Sequence, residues 1–241
     1  MTDKPTKLDV LSIAAHCDDT EIVCGGTVIK MGDLGYSTGA LDLTAGESGS
    51  RGDADSRANE AKSAGNTMGL KYRNNLGLPD AGLFDTQENA LKVAEVIRAT
   101  RPELVILPYW EQRHPDHEAA HHIGYRGCFL AGLDKMPIDG KPYRPRKILY
   151  SSSFQDVSHN IVLDITDQYE RKCKAVACYT TQFKEKPDQR EVYPPARNIF
   201  DYMEIRNRQY GYMIGVKYAE CFIQKEKFSI DDPLKLPGKS I

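Results

Sequence analysis

The chain contains no run of about 18 apolar residues, the least a membrane-spanning helix needs, so no span is expected. It also lacks an excess of charge of either sign. A formal net charge of −2 over 241 residues creates no field that would gather nucleic acid or an anionic membrane. Neither partner is expected, which leaves a small molecule. The six cysteines (Cys17, Cys24, Cys128, Cys173, Cys178 and Cys221) form no Cys-x-x-Cys pair, and a chain of this size needs no disulfide framework. A reducing cytoplasm suits them. The short apolar run after Lys4 and Lys7 leads into His16-Cys17-Asp18-Asp19, unlike a signal-peptidase site, so a cytoplasmic location is expected. No internal repeat or low-complexity segment occurs.

What is present is an alternation of patterns. Leu8–Ala15 is apolar and of strand length, and a helical pattern runs from about Thr20 to Leu34 and stops at Gly35. Tyr36–Leu43 reads as a strand, Thr44–Asp55 as a Gly/Ser-rich loop, and Ser56 as the cap of a helix to about Met68. Asn75–Asp80 reads as turn-rich, Gln87–Thr100 as a helix and Leu104–Leu107 as a short buried strand. Further helices are expected over His117–Leu133, Asp167–Tyr179 and Asn198–Met213, with strands at Lys147–Ser151 and Ile161–Leu163. This order predicts an α/β fold: a Rossmann-like, doubly wound, mostly parallel sheet with helices on both faces. One domain over residues 1–224 and a loosely held tail over 225–241 are expected.

Two polar clusters follow predicted strands, where such a sheet binds its ligands. They are Ala15-His16-Cys17-Asp18-Asp19-Thr20-Glu21 and Arg113-His114-Pro115-Asp116-His117. His16 and Asp19 are three apart across a strand-to-helix turn, a spacing that lets both enter one crevice, and His117 offers a third ligand. Two imidazoles and a carboxylate with an open position form the usual donor set of catalytic zinc, although iron or cobalt also suits it. An ion there lowers the pKa of its water to about 7, and Asp18 stands ready to accept the proton. His114, protonated and held by Asp116, is placed to stabilise an oxyanion.

Other readings compete for the same residues. His117-Glu118-Ala119-Ala120-His121 spells a metallopeptidase motif, but it leaves the first cluster without a task. Gly25-Gly26 lacks the Gly-x-Gly-x-x-Gly spacing of a dinucleotide turn. Cys17 reads as a packed neutral thiol.

The clusters are similar to the hallmarks of the PIG-L, or LmbE-like, zinc-dependent N-acetylglucosaminyl deacetylases. Ala15–Glu21 resembles their Ala-His-Pro-Asp-Asp-x-Glu, and His114–His117 their His-Pro-Asp-His. The likeness spans residues 8–223. Asn75–Asp80, Gln112–His117, Tyr179–Phe183 and Gly215–Glu220 resemble the branch that deacetylates N-acetylglucosaminyl malate for bacillithiol. The resemblance implies a zinc held by His16, Asp19 and His117, with Asp18 as general base, His114 as electrophilic partner and Asp116 as its orienting carboxylate. It implies that Arg57 and Arg113 grip the substrate, chemically apt for a carboxylate-bearing aglycone. Arg51 is a rival for that role, Arg57 with Glu60 could be only a surface pair, and Glu21 reads as an orienting residue. The same resemblance implies a homo-oligomer, trimer or hexamer. Cys17 replaces the family's proline, Cys221 replaces the branch's glycine, and Tyr193 and Tyr202 compete for a tyrosine at the site's mouth.

Overall fold

The computed structural model describes residues 7–49, 51–184, 198–227 and 229–235. Strands β1 (Val10–Ala14), β2 (Thr38–Thr44), β3 (Tyr72–Leu78), β4 (Leu104–Pro108) and β5 (Lys147–Ser151) form one parallel sheet in the order β3-β2-β1-β4-β5. Helix α1 (Asp19–Asp33) and helix α2 (Ala54–Met68) carry the chain outward from β1 to β3. Helix α3 (Gln87–Thr100) then returns it across β1 to β4, and α4 (Pro115–Ala131) continues to β5. Because parallel crossovers are right-handed, this reversal puts α1 and α2 on one face and α3 and α4 on the other. It is a Rossmann-like doubly wound sheet, with its switch point between the carboxyl ends of β1 and β4.

Burial explains the composition of the strands. β1 is buried along its whole length, as a central parallel strand must be, and reads as an unbroken apolar run apart from Ser12. β3 is the exception: its Tyr-Arg-Asn-Asn-Leu-Gly-Leu faces solvent at several positions because it lies at the sheet edge. That polarity hid a strand where only a turn-rich segment was expected. Two helix starts also differ from expectation. Asp53, not Ser56, caps α2, and Ser56 completes a reciprocal capping box by donating to and accepting from residue 53. α4 begins at Pro115 with His114 as its cap, since proline's fixed φ and missing N–H suit the first helical position.

Beyond the sheet, β6 (Ile161–Asp164) and β7 (Ala219–Phe222) pair antiparallel, joined to β5 by a bridge between Tyr150 and Ile223. Helix α5 (Tyr169–Val176) packs on α1 and α2, the short α6 spans Thr180–Phe183, and α7 (Ile199–Ile214) packs on β6 and β7. Gly26 makes the close approach of α1 possible, because a Cβ there would meet Ile165 at 2.6 Å. Lys225, the first residue of the expected tail, sets its ammonium 3.9 Å from the Trp110 ring centroid and 4.6 Å from that of Tyr150. No helix among the described residues is long and apolar enough to cross a membrane.

A buried ion pair ties the outer helices to this frame. Lys172 Nζ donates to Glu220 Oε1 at 2.7 Å, and both side chains are 1 % exposed. Glu220 also accepts the N–H groups of Gly26 and Thr27, and Lys172 donates to Asn207, so α1, α5, α7 and β7 share one polar junction. Removing one partner of such a pair strands a charge in a dry interior. Lys172→Met is expected to cost about 3–5 kcal/mol of stability, read as a lower urea midpoint at unchanged slope.

Candidate metal centre

The loops after β1 and β4 meet at the switch point. His16 lies in the turn out of β1, and Asp18 and Asp19 begin α1, where the helix's positive end favours carboxylates. The His16 N–H donates to Asp19 Oδ2 at 2.9 Å, fixing that side chain. His117 projects from the first turn of α4. Four atoms of three residues converge: His16 Nδ1 lies 3.3 Å from Asp19 Oδ2, His117 Nε2 lies 3.2 Å from Asp19 Oδ1, and the two ring nitrogens are 3.3 Å apart.

Bonds of about 2.0–2.1 Å to a tetrahedral zinc separate neighbouring ligand atoms by about 3.3–3.4 Å, so the two ring nitrogens, and each of them with one oxygen of Asp19, stand at ligand spacing, and one atom from each residue lies within 4.8 Å of the other two. The charge balance agrees. Burial alone would hold the His16 imidazole down, yet hydrogen bonds to Asp116, Asp19 and Asp80 push it up to about 12. The pocket asks for a positive charge. Asp19, despite burial, is held well below the usual carboxylate range by His117 and His16.

A second layer of groups surrounds the triangle. His16 Nε2 lies 3.1 Å from Asp80 Oδ1 and 3.5 Å from Asp116 Oδ2. Asp80 is itself fixed by the Ser48 N–H at 2.8 Å, while its own N–H donates to Glu47. The Asp116 carboxylate accepts from the N–H groups of Ala81 and Leu83 at 2.8 and 3.3 Å. It therefore braces the 79–83 turn and faces His16, which differs from the expectation that it orients His114. The link to His114 is through the backbone: the Asp116 N–H donates to His114 Nδ1 at 3.2 Å. An accepting Nδ1 places the ring proton on Nε2, and burial together with the charges of His117 and His16 lowers the His114 pKa. A neutral N–H donor thus replaces the expected imidazolium. His16, His114 and Asp116 also present donor atoms within 4.8 Å of one another, but Nδ1 of His114 and the Asp116 carboxylate already serve backbone amides.

Asp18 stands beside the triangle. Arg57 Nη2 donates to its Oδ1 at 3.2 Å and Arg57 Nη1 to the Gly46 carbonyl at 2.9 Å. Burial raises the Asp18 pKa against the opposing charge of Arg57. Arg57, expected to grip substrate, is buried, with its two terminal nitrogens engaged by Asp18 and the Gly46 carbonyl. It is not paired with Glu60: that carboxylate takes the Thr181 N–H and the hydroxyls of Thr180 and Thr181. Arg51 donates to the Gln182 carbonyl, and Arg113 lies exposed on the loop before α4. Tyr202 accepts the Phe154 N–H at 2.8 Å and stacks on its ring. Tyr193 lies outside the described residues.

Several residues that shape the site were not singled out in the sequence. Arg73 on β3 holds Asp42 through Nε at 3.0 Å and also donates to Glu21 and to the Cys17 carbonyl. The Tyr179 hydroxyl donates to the same carbonyl and lies 3.2 Å from Glu21. Ser153 Oγ lies 3.3 Å from His117 Nδ1. The one available signal was Asp42, an acid inside a wholly buried strand. Cys17 itself is buried and its thiol is pushed up by that burial. Gly25 and Gly26 lie within α1 and form no loop for a nucleotide.

A Rossmann-like sheet with a His–Asp–His triangle at its switch point defines an α/β protein with a candidate cation site. The family model described as PIG-L, GlcNAc-PI de-N-acetylase, matches residues 11–127. A diacetylchitobiose deacetylase of Thermococcus kodakarensis is 32 % identical over 225 residues, covering 88 % of this chain and 80 % of that protein. A 1D-myo-inositol 2-acetamido-2-deoxy-alpha-D-glucopyranoside deacetylase of Nocardiopsis dassonvillei is 30 % identical over 173 residues, 57 % of this chain and 60 % of its own. The crystal structure of a conserved protein from Thermus thermophilus superposes with a TM-score of 0.84 at 36 % identity, covering 92 % of this chain and 97 % of that one. The chain belongs to the PIG-L family of deacetylases.

The peptidase pattern is not assembled. His121 Nδ1 lies 2.9 Å from the Pro108 carbonyl, its ring packs near Trp110 and Tyr150, and it joins neither donor cluster among the described residues. Burial pushes His121 down to about 4, the Pro108 hydrogen bond opposing and the Lys225 charge assisting. The unfolded chain titrates near the ordinary value of 6.5, so between pH 6.5 and 4 it binds the proton that the folded chain refuses. Stability should fall as pH drops through that window. His121→Gln should flatten the slope in denaturation measured from pH 7 to 4 and leave the metal content of the purified protein unchanged.

Proposed function

We propose that this chain hydrolyses the acetamide of an N-acetylglucosamine conjugate, with zinc held by His16 Nδ1, Asp19 and His117 Nε2. The observation that carries this reading is the convergence of His16 Nδ1, His117 Nε2 and the Asp19 carboxylate, in contacts of 3.2–3.3 Å, with Asp18 next to Asp19 at the start of α1. When bound, zinc supplies a Lewis acid for the acetyl carbonyl and makes water a better nucleophile at neutral pH.

The chain's own groups do the rest. Asp18, kept in place by Arg57, accepts the proton as water adds to the acetyl carbon. The Nε2–H of His114 donates to the carbonyl oxygen as negative charge develops on it. The C–N bond then breaks, Asp18 returns its proton to the departing sugar amine, and acetate leaves. Asp80 and Asp116 hold the His16 ring, so its lone pair stays aimed at the centre of the triangle.

For the substrate we propose N-acetylglucosaminyl malate, giving glucosaminyl malate and acetate in bacillithiol synthesis. Support comes from the segments that resemble that branch, Asn75–Asp80 and Tyr179–Phe183 among them. Asp80 faces His16 and Tyr179 faces Glu21, so both segments lie against the site. To Arg113, next to His114 in the chain, we assign the malate carboxylate, since a guanidinium matches a carboxylate through two hydrogen bonds. Diacetylchitobiose and the inositol conjugate, named for the relatives, are the competing substrates. A cytoplasmic setting and assembly into trimers or hexamers complete the reading.

The test is acetate release from a panel of these three substrates by zinc-loaded and chelator-stripped protein. The malate conjugate should give the highest kcat/KM, stripping should abolish release and zinc should restore it. Asp18→Asn should lower kcat by about 10²- to 10⁴-fold. Full activity in that variant would remove Asp18 from the mechanism, and faster turnover of chitobiose or the inositol conjugate would replace the substrate.

A further inference from the structure

His117 meets the triangle through Nε2, so a ring that offers a lone pair there must carry its hydrogen on Nδ1. The group facing this outer nitrogen is not a carboxylate, as it is at Nε2 of His16, but the hydroxyl of Ser153 at 3.3 Å. A hydroxyl can donate or accept, so by itself it leaves the tautomer undecided. The decision passes to the next residue. Ser153 Oγ donates to Gln112 Oε1 at 3.2 Å, and an amide oxygen only accepts. The serine hydrogen is thereby committed to Gln112, and its lone pair is left to accept from His117 Nδ1–H. Were the amide reversed, its NH₂ would donate to Ser153, the serine hydrogen would turn to Nδ1, and the ring hydrogen would sit on Nε2, where a cation must bind.

Ser153 is held from both sides. Arg206 on α7 donates to Ser152 Oγ at 2.7 Å and to the Gln155 carbonyl at 3.0 Å, and the Tyr202 hydroxyl takes the Phe154 N–H. Ser153 is 7 % exposed, so water competes poorly for its hydroxyl. We propose that Ser153, oriented by Gln112, is a positioning residue that selects the His117 tautomer able to hold a cation. The inference rests on the metal reading above and adds to it the groups that decide whether the third ligand is available.

The test measures zinc affinity by competition with a chromophoric chelator, together with imidazole ¹⁵N NMR of the metal-free protein to locate the His117 hydrogen. Ser153→Ala should weaken zinc binding by about 10- to 100-fold and raise the share of His117 with its hydrogen on Nε2. Ser153→Thr, which keeps the hydroxyl, should stay within about threefold of the parent. Gln112→Glu offers acceptors at both positions and should bind zinc like the parent, whereas Gln112→Met should resemble Ser153→Ala. A purely structural role for Gln112 predicts the reverse ranking, because a buried extra carboxylate would do more harm than an apolar replacement. Parent-like affinity and tautomer in Ser153→Ala, or equal losses in both Gln112 variants, would overturn the inference. A parent protein that takes up no zinc would overturn the metal reading and this inference with it, a result distinct from a parent that binds and is matched by Ser153→Ala.

Discussion

The structure depends on the crowding of negative charge at the carboxyl ends of β1 and β4. Asp18, Asp19, Asp80 and Asp116 gather around His16 and His117, with Glu21 and Asp42 behind them, in surroundings that exclude much of the water that would screen them. Carboxylates in such a place need a positive partner. Arg57 answers Asp18, Arg73 answers Glu21 and Asp42, and the start of α1 answers Asp19. What these leave unmatched lies at the triangle, where a divalent ion or a proton on His16 fills the deficit. The geometry of the candidate site and the local fold are thus one electrostatic arrangement.

The rest of the molecule holds that arrangement in place. The reversal of the sheet brings together turns that are nearly a hundred residues apart in sequence, and the helices on the α1 face lock them. Thr180 and Thr181 clasp Glu60 of α2, Gln182 and Arg51 bond each other's backbones, and the junction of Lys172 with Glu220 joins α5 to β7 and α1. None of these residues joins the His–Asp–His cluster. Each limits how far the loops that carry the cluster can move.

How much of this was legible in the sequence depended on range. Apolar periodicity located β1, β4, α1 and α3, because burial on both sides of a central strand, or on one face of a helix, leaves a local pattern. The two polar clusters were visible because their ligands are close neighbours in sequence and follow such strands. β3 was missed because an edge strand with exposed asparagines carries no such pattern. Asp80, Arg73, Tyr179 and Ser153 were missed as site residues because each meets its partner across a long stretch of chain, and no spacing rule reports such a meeting. Arg57 was noticed, but only the coordinates show that its guanidinium is spent on Asp18 and Gly46.

Residue 17 draws these themes together. Its carbonyl oxygen receives both the Tyr179 hydroxyl and the Arg73 guanidinium, so the bend that presents the ligands is gripped by its backbone. A hold of that kind is indifferent to what hangs from the Cα. A proline would stiffen this bend from within, and here hydrogen bonds from distant parts of the same chain do so from outside. The thiol that has settled there is walled in and kept protonated, an ornament next to a reactive centre rather than a weak point for oxidants.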